Sequence, residues 1–171
     1  MSKEEVKKYL NQVAFSSAEE FLEKYKDEAS IIGHFGLGFY SAFMVADKVE
    51  VVTKSFNAEE EAVKWTCEGD PEYTIGKADK TERGTDIILH VSEDSVEYLE
   101  EARIQELLDK YCKFLPVLIR FGTKTETTYD GEGDDKTEIE TEVDNIINNP
   151  NPLWKKSPNK ITEEEDKDFY R

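Results

Sequence analysis

Ile31-Ile32-Gly33-His34-Phe35-Gly36-Leu37-Gly38-Phe39-Tyr40-Ser41-Ala42-Phe43-Met44-Val45-Ala46 is the stretch that decides how this chain of 171 residues is read. Glycines at 33, 36 and 38 lead directly into an apolar segment of helical character. Glycine accepts positive φ and carries no Cβ to hold a ligand away from the backbone. A helix starting between Leu37 and Phe39 would turn its first N–H groups, which have no intrahelical partners, and the positive end of its dipole towards the loop. Such an end attracts an anion, phosphate above all. The same glycines would also allow tight helix packing in a core, and spacing alone leaves both readings open.

On the N-terminal side of the run, Ser2 with Glu5 has capping-box spacing, and Val6, Tyr9, Leu10 and Val13 follow at helical intervals. Ser17 with Glu20 repeats the signal before Phe21, Leu22 and Tyr25, a narrow apolar stripe expected on a peripheral helix. On the C-terminal side, Val49 to Thr53, Val63-Trp65-Cys67, Tyr73-Ile75 and Ile87-Leu89-Val91 read as strands of an antiparallel sheet, with polar turns at Asn57 to Glu61 and Glu68 to Pro71. Ile104, Leu107, Leu108, Tyr111 and Leu115 predict a helix from Glu101 to Phe114 that Pro116 ends, followed by a buried strand Val117 to Phe121. Ile139, Thr141 and Val143 alternate with glutamates, which predicts a half-exposed strand paired with the previous one across the acidic loop Asp130 to Asp135. Asn148-Asn149-Pro150-Asn151-Pro152 is a breaker cluster and the expected domain boundary. Thr162 with Glu165 would cap one more helix. The order of elements predicts an α+β layer of helices on a mixed, mainly antiparallel sheet.

Composition narrows the partners. Hydrophobic residues make up 37% of the chain and charged residues 36%, with 9 Phe, 8 Tyr and 2 Trp to build a core. A formal net charge of −17 opposes a phosphodiester backbone, so no nucleic acid partner is expected. A mononucleotide remains compatible, because backbone N–H groups supply local positive potential within an acidic protein. Cys67 and Cys112 show neither CxxC spacing nor a histidine at ligand distance in sequence, so no metal site is expected and the thiols read as reduced. The opening residues carry neither a basic nor an apolar targeting segment, and Leu37 to Ala46 is far short of the ~20 residues that span a bilayer. A cytoplasmic protein with no membrane partner is expected.

The segment Gly33 to Phe43, followed by Val45-Ala46-Asp47-Lys48-Val49, closely resembles the glycine-rich lid-end motif of the heat-shock protein 90 chaperones, in their bacterial HtpG type. Trp65, Arg83-Gly84-Thr85, the Tyr111 helix, Leu153-Trp154-Lys155-Lys156, Ile161 to Glu165 and Phe169-Tyr170 follow in the family's order, so the resemblance covers essentially the whole chain. It implies an incomplete Bergerat-type ATP-binding two-layer sandwich. Residues 1–147 would be the C-terminal part of the nucleotide-binding domain, with the lid region and glycine loop in 1–46, and 148–171 would be the linker and the beginning of the middle domain. It implies ATP or ADP with Mg2+ as cofactor, unfolded or client proteins as partners, a role in the stress response, and a homodimer in the full-length family.

Carried over residue by residue, the resemblance implies that Gly33, Gly36, Leu37, Gly38 and Phe39 hold the β- and γ-phosphates through backbone N–H groups, with Phe35 in the same loop and the Phe39 side chain near the nucleotide. Thr85 matches the threonine that helps to bind adenine, partly through water. His34 stands where glutamine is more frequent, and reads either as a donor near the phosphates or as a solvent-facing residue; His90 reads as structural. The family's catalytic glutamate and magnesium-binding asparagine, spaced E-x-x-x-N, have no match, nor has the adenine-binding Asp with its Gly-x-Gly-Met loop. Met1-Ser2-Lys3-Glu4-Glu5-Val6 fits the end of that loop, which makes Met1 a nucleotide-site residue and, on this expectation, an internal methionine of a longer chaperone. No catalytic residue is therefore expected within the chain, and negligible ATPase activity from it alone. A non-enzymatic acidic interaction module is the alternative.

Overall fold

A computed structural model describes residues 1–12, 17–24, 33, 36–130, 137–157, 159 and 161–162. The chain divides into two compact units, Met1–Glu100 and Glu101–Arg171.

The first unit opens with helix α1, Lys3–Leu10. Ser2 Oγ accepts the Glu5 N–H at 3.2 Å and Glu5 Oε2 accepts the Ser2 N–H at 2.7 Å, the reciprocal capping box that the sequence predicts. The helix ends at Leu10 with Asn11 as its C-cap, short of Val13, which lies outside the described residues. Helix α2 spans Ala18–Lys24, and Phe21 on it is 46% exposed, as a peripheral helix requires; Tyr25 lies outside the described residues.

Four strands follow: β1 (Ala46–Lys54), β2 (Val63–Cys67), β3 (Tyr73–Lys77) and β4 (Gly84–Val91). They form one sheet in the order β3-β2-β1-β4, each neighbour antiparallel. Every strand predicted in this region is present, and the pairings among the described residues are antiparallel rather than mixed. Period-2 alternation puts Val49, Val51 and Thr53 of β1 and Val63, Trp65 and Cys67 of β2 on one buried face. Val6 of α1 covers that face, with Met1, Leu10, Phe39, Ala42 and Phe43 packed around it. Burying a valine fully, as at Val6 and Val49, contributes about 1.5–3 kcal/mol each.

The apolar segment after the glycines is a 3₁₀ helix, Gly38–Met44, where the sequence suggested an α-helix. Tyr40 N–H bonds the Leu37 carbonyl and Val45 N–H bonds the Ala42 carbonyl, both spanning three residues. That tighter winding places Phe39 and Ala42 on the same side, against the sheet. A second 3₁₀ segment, Glu93–Leu99, closes the unit.

The second unit contains α3 (Glu101–Tyr111), the hairpin β5 (Arg120–Asp130) with β6 (Thr137–Ile146), and a 3₁₀ turn Leu153–Lys155. The β5–β6 pairing is antiparallel, as expected. The expected buried strand from Val117 is not formed: Val117 and Leu118 are 49% and 63% exposed, and β5 begins at Arg120. Pro116 removes a ladder donor, and a side chain takes over the task of the ladder. Asn148 Oδ1 accepts the Ile119 N–H at 2.7 Å, while its Nδ2 donates to the Leu115 and Val117 carbonyls, each at 2.7 Å. Phe114 and Trp154 pack edge to face, 4.6 Å between centroids. Asn148, first residue of the breaker cluster, is thus 6% exposed and tied down within this unit.

Candidate functional site

The glycine run meets the sheet through its 3₁₀ helix. Gly36 has φ +64°, the left-handed region that its lack of a Cβ makes accessible. A Cβ placed on Gly33 or on Gly38 would meet no atom within 4 Å, so neither glycine is explained by close packing among the described residues. Leu37 is exposed. Phe39 is half-buried, and its ring meets Trp65 edge-on at 5.7 Å and Tyr40 at the same separation. His34 and Phe35, both expected at the site, lie outside the described residues.

The other two expected residues, Met1 and Thr85, are brought together by a residue that the sequence reading did not single out. The Met1 nitrogen donates to Thr53 Oγ1 at 2.7 Å, and Thr53 Oγ1 lies 2.8 Å from Thr85 Oγ1. Thr53 is fully buried on β1, directly opposite Thr85 on the edge strand β4, and its hydroxyl also donates to the Gly84 carbonyl at 3.3 Å. Thr85 itself is exposed. The signal in the sequence was a hydroxyl at the inward position of an otherwise valine register, Val49-x-Val51-x-Thr53.

Beside α1 a cleft of about 600 Å3 is walled by Leu10, Tyr40, Phe43, Trp65 and Tyr73. Trp65 Nε1 donates to Asn11 Oδ1 at 2.9 Å and Tyr40 donates to the Leu10 carbonyl at 2.9 Å, which pins the end of α1 to the sheet. Burial, and secondarily the charge of Cys67, raises the Tyr40 phenol above its usual range. None of Gly33, Gly36, Gly38, Thr85 or Met1 lines this cleft, while Phe39 packs against two of its walls, Tyr40 and Trp65. On the sheet's opposite face, Glu50 meets Lys64 at 2.5 Å, Lys48 at 3.1 Å and His90 at 3.3 Å. The hydrogen bonds from Lys64 and then Lys48 hold its carboxyl down at about 2. His90 is therefore a member of a cross-strand polar network, consistent with a structural place.

Gly33 and Gly38 present open backbone, and Thr85 is exposed on β4. Among the described residues no group of three or more His, Cys, Asp or Glu side chains is clustered. Nor is any helix among them long and apolar enough to cross a membrane.

An antiparallel sheet with a capped helix and an aromatic 3₁₀ segment on one face defines the chain's class as α+β. No family model matches the sequence. Individual relatives do. The chain is 57% identical over 171 residues to the chaperone protein HtpG of Bacteroides thetaiotaomicron, covering 99% of this chain and 24% of that protein. It is 56% identical over 172 residues to the HtpG of Porphyromonas gingivalis, covering all of this chain and 24% of the relative. The HtpG of Sulfurimonas denitrificans is 40% identical over 178 residues, with 99% and 28% covered. By this similarity the chain belongs to the heat-shock protein 90 chaperones of the HtpG type, and its α+β arrangement is consistent with a fragment of their N-terminal domain. The chain spans about a quarter of the length of the curated relatives it matches, 24% for the first of them.

Proposed function

We propose that this chain serves an ATP-dependent chaperone of the heat-shock protein 90 family, which assists unfolded or client proteins in the cytoplasm under stress and works as a homodimer. Its share of the work is one wall of the nucleotide site. Backbone N–H groups of Gly33, Gly36, Leu37, Gly38 and Phe39 hold the β- and γ-phosphates of ATP or ADP, and Met1, Thr53 and Thr85 frame the base. Residues 1–147 act as the later part of the nucleotide-binding domain and 148–171 lead into the middle domain. When bound, magnesium supplies charge neutralisation on the phosphates, but no residue described here is assigned to it, and the general base that hydrolysis needs is likewise outside these residues.

The observation that carries this reading is the convergence of Met1 and Thr85, 84 positions apart in sequence, on the buried hydroxyl of Thr53, next to a strand whose open face awaits a neighbour. Ile87 and Leu89 on β4 lie on the same face as Val51 and Val49, yet are 56% and 41% exposed. An apolar row of this kind on a sheet face supports packing against a further layer.

The experiment is calorimetric titration of ATP with magnesium into the protein as encoded by its gene, beside its Gly38→Ala variant, with suppression of client aggregation measured in parallel. A Cβ at Gly38 meets nothing in the fold, so the variant should keep its melting temperature and lose nucleotide affinity. Equal affinity in both proteins would remove the phosphate role. Client protection with no ATP binding by the parent would favour the alternative, a non-enzymatic acidic interaction module, to which the net charge of −17 is suited.

A further inference from the structure

The cleft beside α1 has a composition that the nucleotide reading leaves unused. Four aromatic residues line it, Tyr40, Phe43, Trp65 and Tyr73, together with the exposed acids Asp70 and Glu72. Phe39 backs this wall, edge-on to Tyr40 and Trp65 at 5.7 Å and to Phe43 at 6.4 Å. Tyr40 and Trp65 spend their donors within the fold, on the Leu10 carbonyl and Asn11 Oδ1, each at 2.9 Å. A tight turn between β2 and β3 holds the acids. Gly69 has φ +86°, Cys67 Sγ accepts the Gly69 N–H and donates to the Asp70 carbonyl, both at 3.4 Å, and Asp70 Oδ1 accepts the Glu72 N–H at 3.1 Å. Other acids on this sheet have cationic partners: Glu50 has Lys48 and Lys64, Glu61 has Lys77 and Asp86 has Lys80. Among the described residues no Lys, Arg or His lines the cleft, and none pairs with Asp70 or Glu72.

We propose that this cleft binds a small organic cation, an ammonium group carried on an apolar body. Aromatic rings attract a cation through their π density, the more so where water is displaced. Two carboxylates without counter-ions add attraction over a longer range, and the net charge of −17 draws cations towards the whole molecule. A volume of about 600 Å3 is that of a small-molecule site. An anion would meet Asp70 and Glu72 as like charges. A neutral apolar molecule would use the rings and leave the acids idle.

The test titrates benzyltrimethylammonium into the protein as encoded by its gene, followed by NMR at the Trp65 indole N–H, with benzyl alcohol as the neutral analogue and benzenesulfonate as the anionic one. The cation should bind saturably and about three- to tenfold more tightly than the alcohol, with the sulfonate weakest. The double variant Asp70→Asn, Glu72→Gln should lose about three- to tenfold in affinity for the cation and keep its affinity for the alcohol. Tyr73→Leu, at an exposed position of the edge strand β3, should reduce the preference for cation over alcohol by about two- to fivefold. Equal affinity for cation and alcohol in the parent overturns the proposal, as does a response that never saturates. Cation affinity unchanged in both the carboxylate variant and Tyr73→Leu overturns it too. Displacement of the cation by ATP with magnesium assigns the cleft to the nucleotide site and removes the proposal, whereas a parent that binds the cation but no ATP supports it and counts against the nucleotide reading alone. Should the variants not fold, the parent decides by ionic strength: raising salt from about 0.05 M to about 0.5 M should weaken the cation and spare the alcohol, and equal effects on both refute the role of the acids.

Discussion

Truncating Trp65 should remove a large part of the first unit's stability. Its side chain is 2% exposed, lies on β2 opposite Val51 and Ile75, meets Phe39 edge-on at 5.7 Å and donates to Asn11 Oδ1 at 2.9 Å. Large-to-small changes of this kind cost about 3–5 kcal/mol in a packed core. Within that sum the edge-on ring pair accounts for about 0.5–1.5 kcal/mol and the indole hydrogen bond for a similar amount. Domains are stable by only about 5–15 kcal/mol, so Trp65→Ala should move the urea midpoint far down, and Trp65→Phe, which keeps a ring against Phe39 but loses Asn11, by a smaller step of about 1–2 kcal/mol. Urea titration followed by circular dichroism reads both midpoint and slope. Trp154 remains in the other unit as a fluorescent reporter. A double-mutant cycle of Trp65→Phe with Asn11→Ala isolates the hydrogen bond. A midpoint for Trp65→Ala equal to the parent's, at unchanged slope, would refute the account of this core.

Further expectations concern single groups. Glu50 has a folded pKa of about 2 against an ordinary 4.5, so its network contributes stability fully above pH 4.5 and loses it as pH falls towards 2; Glu50→Gln should flatten acid unfolding across that window. Gly36→Ala forces a side chain into φ +64° and should cost about 1–2 kcal/mol in thermal unfolding, whereas Gly38→Ala, with open space around it, should stay within about 0.5 kcal/mol. Asn148→Ala leaves the Ile119 N–H and two carbonyls without their bonds, and should cost about 1–3 kcal/mol with faster amide exchange at Ile119; unchanged exchange would show that the side chain is not the anchor.

The parts of the fold legible in the sequence were those written in short-range pattern. The Ser2–Glu5 box, the valine alternation of β1, the turn before β3 and the β5–β6 pairing each depend on neighbours a few residues away or on the period of one strand. What escaped depends on distant contacts. The 3₁₀ winding of Gly38–Met44 depends on Phe39 and Ala42 reaching the sheet, and the loss of the Val117 strand depends on an amide 29 to 33 positions away. At the candidate site, the glycines and Thr85 were singled out from the family likeness and spacing. Thr53 was not, because its importance lies in a hydrogen bond to a nitrogen 52 positions earlier rather than in any motif.

The anchoring of Asn148 bears on how the chain can be divided for separate study. Its sequence neighbourhood, rich in asparagine and proline, invites a cut before residue 148, yet the side chain there closes the turn between Leu115 and Ile119. A piece ending at Ile147 would lose the group that stands in for a missing strand pairing, and with it the Asn149 N–H bond to the Lys113 carbonyl. A cut intended to spare both sets of bonds belongs beyond Asn149, and the asparagine travels with the segment that precedes it.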